Sequence, residues 1–164
     1  SLIEYVEQPC TDIADLSILR RSTSIKIAVD ESIRKFLGSD LTKLKEVGDI
    51  AIIKWAPSGG VRSALELIEK IDLPVVISSA LDSSVGISHG LSLAAAVPNL
   101  YGACGLGTVA LLDGDVTSEP LLAASGFMRN RKIIADRVSE FKVAPDRQSW
   151  WQDRANAIYE EGLL

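Results

Sequence analysis

The chain reads as an α/β protein assembled from parallel strand–helix units, and three observations carry that reading. Four apolar runs, IEYV, IKIAV, IAII and LPVVI, are each followed by a polar or charged residue: Glu7, Asp30, Lys54 and Ser78. Those residues stand 23, 24 and 24 positions apart, room for one strand, one helix and two short loops per repeat. Between the runs, apolar residues recur at helical spacing, giving each intervening segment one inward face. In a barrel of such units the strand ends converge on one mouth, and in an open doubly wound sheet they form the ligand edge. Both arrangements put two carboxylates and an amine on the same side.

The elements follow in order. LIEYVEQPC alternates and closes at Pro9, which has no N–H for a ladder. Thr11 and Asp12 can cap a helix over TDIADLSILRRS, whose Ile13, Leu16 and Leu19 form one stripe. SIKIAVDES, rich in β-branched residues, is the second strand. After a loop through Gly38, Ser39 can cap a helix over DLTKLKEV with Leu41, Leu44 and Val47 inward, ended by Gly48. DIAIIKWAPSGG is a strand that breaks at Pro57 and Gly59-Gly60, and VRSALELIEKI is the helix after it. LPVVISSALDSSVG gives a fourth strand, then an alanine-rich helix stopped by Pro98. YGACGLGT is a short fifth strand whose small residues admit close approach of a ligand to the backbone. Beyond it the repeat fades. LLDGDVTSEPLL reads as an irregular connection, GFMRNRKIIADRVSEFKVAP as extended or mixed structure. The segment from Pro145 is a helix with Trp151, Ala155, Ile158 and Trp150 on its apolar side, and burial of at least one tryptophan is expected.

The bulk numbers bound the function. With 164 residues, 47% hydrophobic, 24% charged and net charge −5, the chain suits one soluble unit with a sizeable core. The acidic balance leaves no footprint for nucleic acid, and the basic cluster Arg129 to Lys132 reads as a solvated face. No run suits a membrane span or a secretory leader, so a cytoplasmic location is expected. Cys10 and Cys104 form no C-x-x-C pair and read as reduced, half-buried thiols. His89, the single histidine, has no second imidazole with which to bind metal and reads as structural. The chain opens on Ser1 and its one methionine is Met128, which points to a piece of a longer polypeptide.

Alternation in a strand puts Glu7 on one face with Tyr5 and Ile3, and Lys54 with Ile52 and Ile50. Apolar residues below and a polar tip describe an inward position at a pocket floor. Two carboxylates held a few ångströms apart repel unless a cation lies between them. A donor set of oxygens without His or Cys favours magnesium, so Glu7 and Asp30 are the candidate metal ligands. Lys54 beside them is a candidate proton carrier. Ser78 and Ser79 precede a helix start near Ser83 or Ser84, a possible anchor for a substrate carboxylate. Charged residues at strand ends are common, and Glu31, Lys26, Lys43 and Lys45 read as ordinary surface charges. The in-phase series, not any one member, raises the odds of a site.

VEQP, VDES, IKWAPSGG and SSALDSSVG, in this order and spacing, together with ACGLGT and WWQDR, resemble the enolase superfamily, muconate-lactonising subgroup. Within it they are most similar to the o-succinylbenzoate synthases of actinobacterial type. The resemblance spans most of the chain and implies the C-terminal portion, strands four to eight, of an enolase-type (β/α) TIM barrel. Residues 1–111 would carry those strands and their helices, and 112–164 a C-terminal extension whose helix packs on the barrel or on a capping domain. Glu7 and Asp30 would be the second and third ligands of Mg2+, with Mn2+ as an alternative. Lys54 would face the substrate opposite the base, stabilising an enediolate through its charge over the substrate ring. Ser78, Ser79, Gly105 and Gly107 would line the pocket for a small-molecule carboxylate substrate. The implied reaction is syn dehydration of 2-succinyl-6-hydroxy-2,4-cyclohexadiene-1-carboxylate to o-succinylbenzoate, a step toward menaquinone.

The chain also departs from that pattern. The family takes its base from a K-x-K motif on the second strand and its first metal ligand from an Asp on the third. This sequence begins at the fourth strand, without those residues or the N-terminal capping domain. Lys26 lies four residues before Asp30, too deep on its strand to substitute. The expectation is that the missing N-terminal part belongs to the same protein and that these residues are inactive alone. Rival readings are an N-acylamino acid racemase or dipeptide epimerase of the same superfamily, and a non-catalytic half-barrel.

Overall fold

The structure is a computed structural model that describes residues 2–36 and 41–161. Four parallel strands, β1 (Tyr5–Glu7), β2 (Lys26–Val29), β3 (Ile50–Lys54) and β4 (Val75–Ser78), lie side by side in the order β1-β2-β3-β4. Helices α1 (Ile13–Ser22), α3 (Val61–Lys70) and α4 (Ser84–Ala96) fill the crossovers, with a short α2 (Glu31–Lys35) after β2.

Side-chain alternation sorts the sheet into two faces. Ile27, Val29, Ala51, Ile53, Val75 and Ile77 point to the helices and form the main core with Leu16, Ala64, Leu67, Ile87 and Leu93. Ala28, Ile50, Ile52 and Val76 form a second cluster with Tyr5 and Tyr101 on the opposite face. Strands in unbroken sequential order, with the helical core on one side, are the arrangement of a barrel segment. A doubly wound sheet would reverse its strand order and carry helices on both faces. The open alternative is thereby set aside.

Several elements differ from their sequence reading. The second strand stops at Val29 and Glu31 opens α2, so the DES part of SIKIAVDES is not extended. Leu41–Glu46 is a 3₁₀ helix, although Leu44 and Val47 are buried as expected. Gly48 does its work by packing: a Cβ there would meet Val29 Cγ1 at 2.8 Å. The suggested loop at Gly38 and cap at Ser39 lie outside the described residues. The fifth run touches β4 through two isolated bridges, Val75 with Leu100 and Ser78 with Gly105. Six residues, Leu100 to Gly105, thus oppose four, Val75 to Ser78, and the two-residue excess bulges out of the ladder, so no regular strand forms.

α5 (Pro145–Glu160) begins with proline in its first turn, where the missing N–H is harmless. The expected burial of a tryptophan is not met among the described residues. Trp150 and Trp151 are 45% and 52% exposed, ring centroids 4.7 Å apart edge to face, with the Arg147 guanidinium over Trp150 at 4.4 Å. The described helices include none long and apolar enough to cross a membrane.

Candidate functional site

Alternation and register bring the tips of three strands together. Asp30, immediately past β2, is 9% exposed, and its Oδ2 accepts a hydrogen bond from the Lys54 ammonium at the end of β3, forming an ion pair. Glu7, at the end of β1, is electrostatically coupled to Asp30 and to Lys54. Protein packed around the Glu7 carboxyl, and next the negative charge of Asp30, raise its proton affinity above the ordinary carboxylate value; Lys54 works in the opposite direction. The sequence therefore places two carboxylates and one amine in a single cluster.

Ser78 sits level with Lys54 on the neighbouring strand. Its Oγ donates to the Gly105 carbonyl at 3.3 Å, and a Cβ on Gly105 would approach that Oγ to 2.7 Å. The space left by Gly105 is thus filled by Ser78, whereas Gly107 has open space where a side chain would be. Ser79 is buried, with its hydroxyl on the Gly105 carbonyl at 2.9 Å and 3.0 Å from Thr108 Oγ1. These contacts tie the end of β4 to the 105–108 segment.

At the start of α4 the Ser84 N–H already has an acceptor within the protein. Ser84 N–H donates to both carboxylate oxygens of Asp115, at 3.1 and 3.3 Å, and Ser84 Oγ accepts from Leu121 N–H at 2.7 Å. Asp115 is 5% exposed and comes from the segment that reads as an irregular connection. Sequence reading missed it because a capping carboxylate supplied from 31 residues away has no local signature.

Gln8 was missed as well. It follows Glu7 with φ +40°, a left-handed conformation uncommon outside glycine. Its Oε1 accepts from Asp30 N–H at 2.9 Å and Ser32 N–H at 3.2 Å, and its Nε2 donates to Cys10 O at 2.8 Å and Ser32 Oγ at 2.7 Å. An amide within VEQP carries no periodic signal that would announce this. His89, read as structural, stacks on Trp55 with ring centroids 4.9 Å apart. A cavity of about 370 Å³ reaches Asp30 and Lys54, but much of its lining, including Ile33, Arg34, Glu66 and Lys70, belongs to α2 and α3. Ser78, Ser79, Gly105 and Gly107 are not part of that lining.

The donor set fits a hard divalent cation only in part. Two carboxylates stand together, yet among the described residues no group of three or more His, Cys, Asp or Glu side chains is arranged to hold a metal ion. Glu7 and Asp30 would need further oxygen donors from substrate, water or other protein.

The sequence is 46% identical over 159 residues to the o-succinylbenzoate synthase of Mycobacterium marinum and 45% identical to that of Mycobacterium tuberculosis H37Rv, in each case over 96% of this chain. The chain spans about half the length of these curated relatives, 48% of each. Among solved structures it is similar to the muconate lactonizing enzyme of Pseudomonas fluorescens (TM-score 0.75, 20% identity, 86% of this chain and 41% of that one). It is also similar to the N-succinyl Arg/Lys racemase of Bacillus cereus (TM-score 0.73, 23% identity, 87% and 41%). At such identities these two likenesses speak for the fold alone. The resemblance carried by VEQP, VDES, IKWAPSGG and ACGLGT is borne out by the curated relatives. A sequence model described as "Enolase C-terminal domain-like" matches residues 2–133, and the chain belongs to that family, with the fold of the C-terminal portion of an enolase-type barrel.

Proposed function

We propose that this chain supplies the C-terminal half of a magnesium-dependent carbon–oxygen lyase that converts 2-succinyl-6-hydroxy-2,4-cyclohexadiene-1-carboxylate to o-succinylbenzoate. The single observation that carries the reading is the cluster at the strand tips: Glu7, Asp30 and Lys54, each from a different β/α unit, in one charge-coupled group. Identity of 46% to a named o-succinylbenzoate synthase supports the choice of reaction.

In this reading Glu7 and Asp30 hold the metal. Magnesium, when bound, supplies positive charge that favours the enediolate form of the substrate carboxylate. Lys54 presents a cation to the substrate face opposite the base and, through Asp30, is held in place before substrate arrives. Ser78, Ser79, Gly105 and Gly107 line the succinyl and ring pocket; of these, Gly107 has the free space for a ligand to approach its backbone. The base that removes the α-proton and returns it to the leaving hydroxyl, and a further metal ligand, come from a preceding part of the same polypeptide. Residues 1–111 form the barrel portion and 112–164 an extension whose helix α5 offers its tryptophan side to the rest of that polypeptide.

The test is an assay of the complete polypeptide for aromatic product formation, run beside an assay for racemisation of N-succinylamino acids. Dehydration lost in Glu7→Gln, Asp30→Asn and Lys54→Ala supports the proposal. Racemisation without dehydration would favour the racemase reading, and full dehydration in all three variants would sink the site assignment.

A further inference from the structure

We infer that Gln8 is a positioning residue for the two carboxylates, fixing Glu7 and Asp30 relative to each other so that they can share one divalent cation; this rests on the metal role proposed for that pair. Neither carboxylate is held well by regular structure. β1 has three residues, so Glu7 ends a short strand joined to β2 by few ladder pairs. Asp30 lies past the end of β2 with φ −124° and ψ −86°, outside both the strand and the helix regions.

Gln8 bridges the gap. Its backbone N–H donates to Ala28 O at 2.8 Å, extending the β1–β2 ladder by one residue. Its side chain then uses both lone-pair directions of Oε1 on the Asp30 and Ser32 N–H groups and both Nε2 protons on Cys10 O and Ser32 Oγ. Ser32 is fully buried, so this anchor is fixed from behind by the core. A terminal amide with every donor and acceptor used has one orientation. The left-handed backbone at Gln8 is what turns its side chain back toward β2, a conformation unfavourable for a residue with a Cβ that persists only when its surroundings hold it. The bonds at the Asp30 amide and on the residue after Glu7 therefore control the separation of the two carboxyl groups.

Outer-shell partners of metal ligands typically govern 10–100-fold in metal affinity. The informative variant is Gln8→Gly in the complete polypeptide, because glycine tolerates the positive φ, so the side chain and its four hydrogen bonds are removed without straining the backbone. Ser32→Ala, which removes one of the four side-chain bonds, is a milder companion should Gln8→Gly fail to fold. Binding of Mg2+ is read by titration calorimetry and that of Mn2+ by electron paramagnetic resonance, with melting temperature recorded in parallel. The expected result is Mg2+ and Mn2+ dissociation constants raised about 10-fold or more in Gln8→Gly and about 2–3-fold in Ser32→Ala, with kcat at saturating Mg2+ within a few-fold of the parent. Metal affinity unchanged in the folded variants, with a lowered melting temperature, would assign Gln8 a purely structural role and overturn the inference. Glu7→Gln and Asp30→Asn separate the two ideas. If they bind Mn2+ as the parent does, the metal reading itself fails; if they lose it while Gln8→Gly does not, the metal reading stands and the Gln8 inference falls.

Discussion

Lys54 reaches from the tip of β3 to the carboxylate of Asp30 past the end of β2, and the two form an ion pair with little access to water on either side. The contact neutralises one of two carboxylates that repel each other. Removing the ammonium leaves both anions in a partly desolvated place. Lys54→Met is expected to lower stability at pH 7 by about 1–3 kcal/mol, measured by denaturant unfolding of the complete polypeptide. It should lower kcat by about 10²–10³-fold if the charge also faces the transition state. Lys54→Arg should recover stability more fully than turnover, because a planar guanidinium keeps the charge and changes where it sits.

Glu7 gives a prediction with a definite sign. Its proton affinity is raised in the folded protein, first by surrounding protein and then by Asp30, so folding favours its protonated form. That contribution is fully present below the unfolded carboxylate value, about pH 4, and is lost as pH rises through the raised folded value. At pH 7 the ionised Glu7 therefore costs stability in the metal-free protein. Glu7→Gln should raise the metal-free melting temperature at pH 7 by about 1 °C, a small gain because Glu7 is exposed and screened, and should give no gain at pH 4. A fall in melting temperature at pH 7 would contradict this account.

Ser78 and Gly105 form a tight pair. Because a Cβ at Gly105 would meet Ser78 Oγ at 2.7 Å, Gly105→Ala should cost about 1–3 kcal/mol. Adding Ser78→Ala removes the hydroxyl that is struck, and the double variant should regain more than half of that loss. Unfolding curves for the four proteins measure the coupling. Gly107→Ala meets nothing within 4 Å and should leave stability unchanged, while raising KM if substrate uses that space.

Asp115→Ala should destabilise by about 1–3 kcal/mol, since it strips the buried Ser84 N–H of its acceptor at the start of α4. Asp115→Asn keeps an oxygen there and should restore most of it. Thermal melts of the two variants test this, with a shift of roughly 2–4 °C per kcal/mol for a domain of this size.

These residues mark where the sequence could be read and where it could not. Glu7, Asp30, Lys54 and Ser78 were legible because a period of strand-plus-helix length fixes which positions end strands, and alternation fixes the face. Leu16 and Leu44 were legible as core for the same periodic reason. Gln8 and Asp115 were not, because a buried hydrogen bond between residues 22 to 31 positions apart depends on three-dimensional placement and leaves no pattern in the chain. The fifth run was read as a strand from its place in the repeat, but spacing does not reveal a two-residue excess opposite β4. The 3₁₀ form of Leu41–Glu46 was hidden similarly: Leu44 and Val47 at three-residue spacing suit a turn of either helix.

The order of the three charges along the chain has a consequence for how the protein is made. Synthesis delivers Glu7 and Asp30 before Lys54, so the two anions exist before the cation that neutralises one of them. Like charges about 4 Å apart near a protein surface repel by about 4 kcal/mol, more than three ladder pairs can be expected to hold. β1 is therefore expected to settle only after β3 brings its ammonium. Pulsed hydrogen exchange should find the amides of β3 and β4 protected before those of β1.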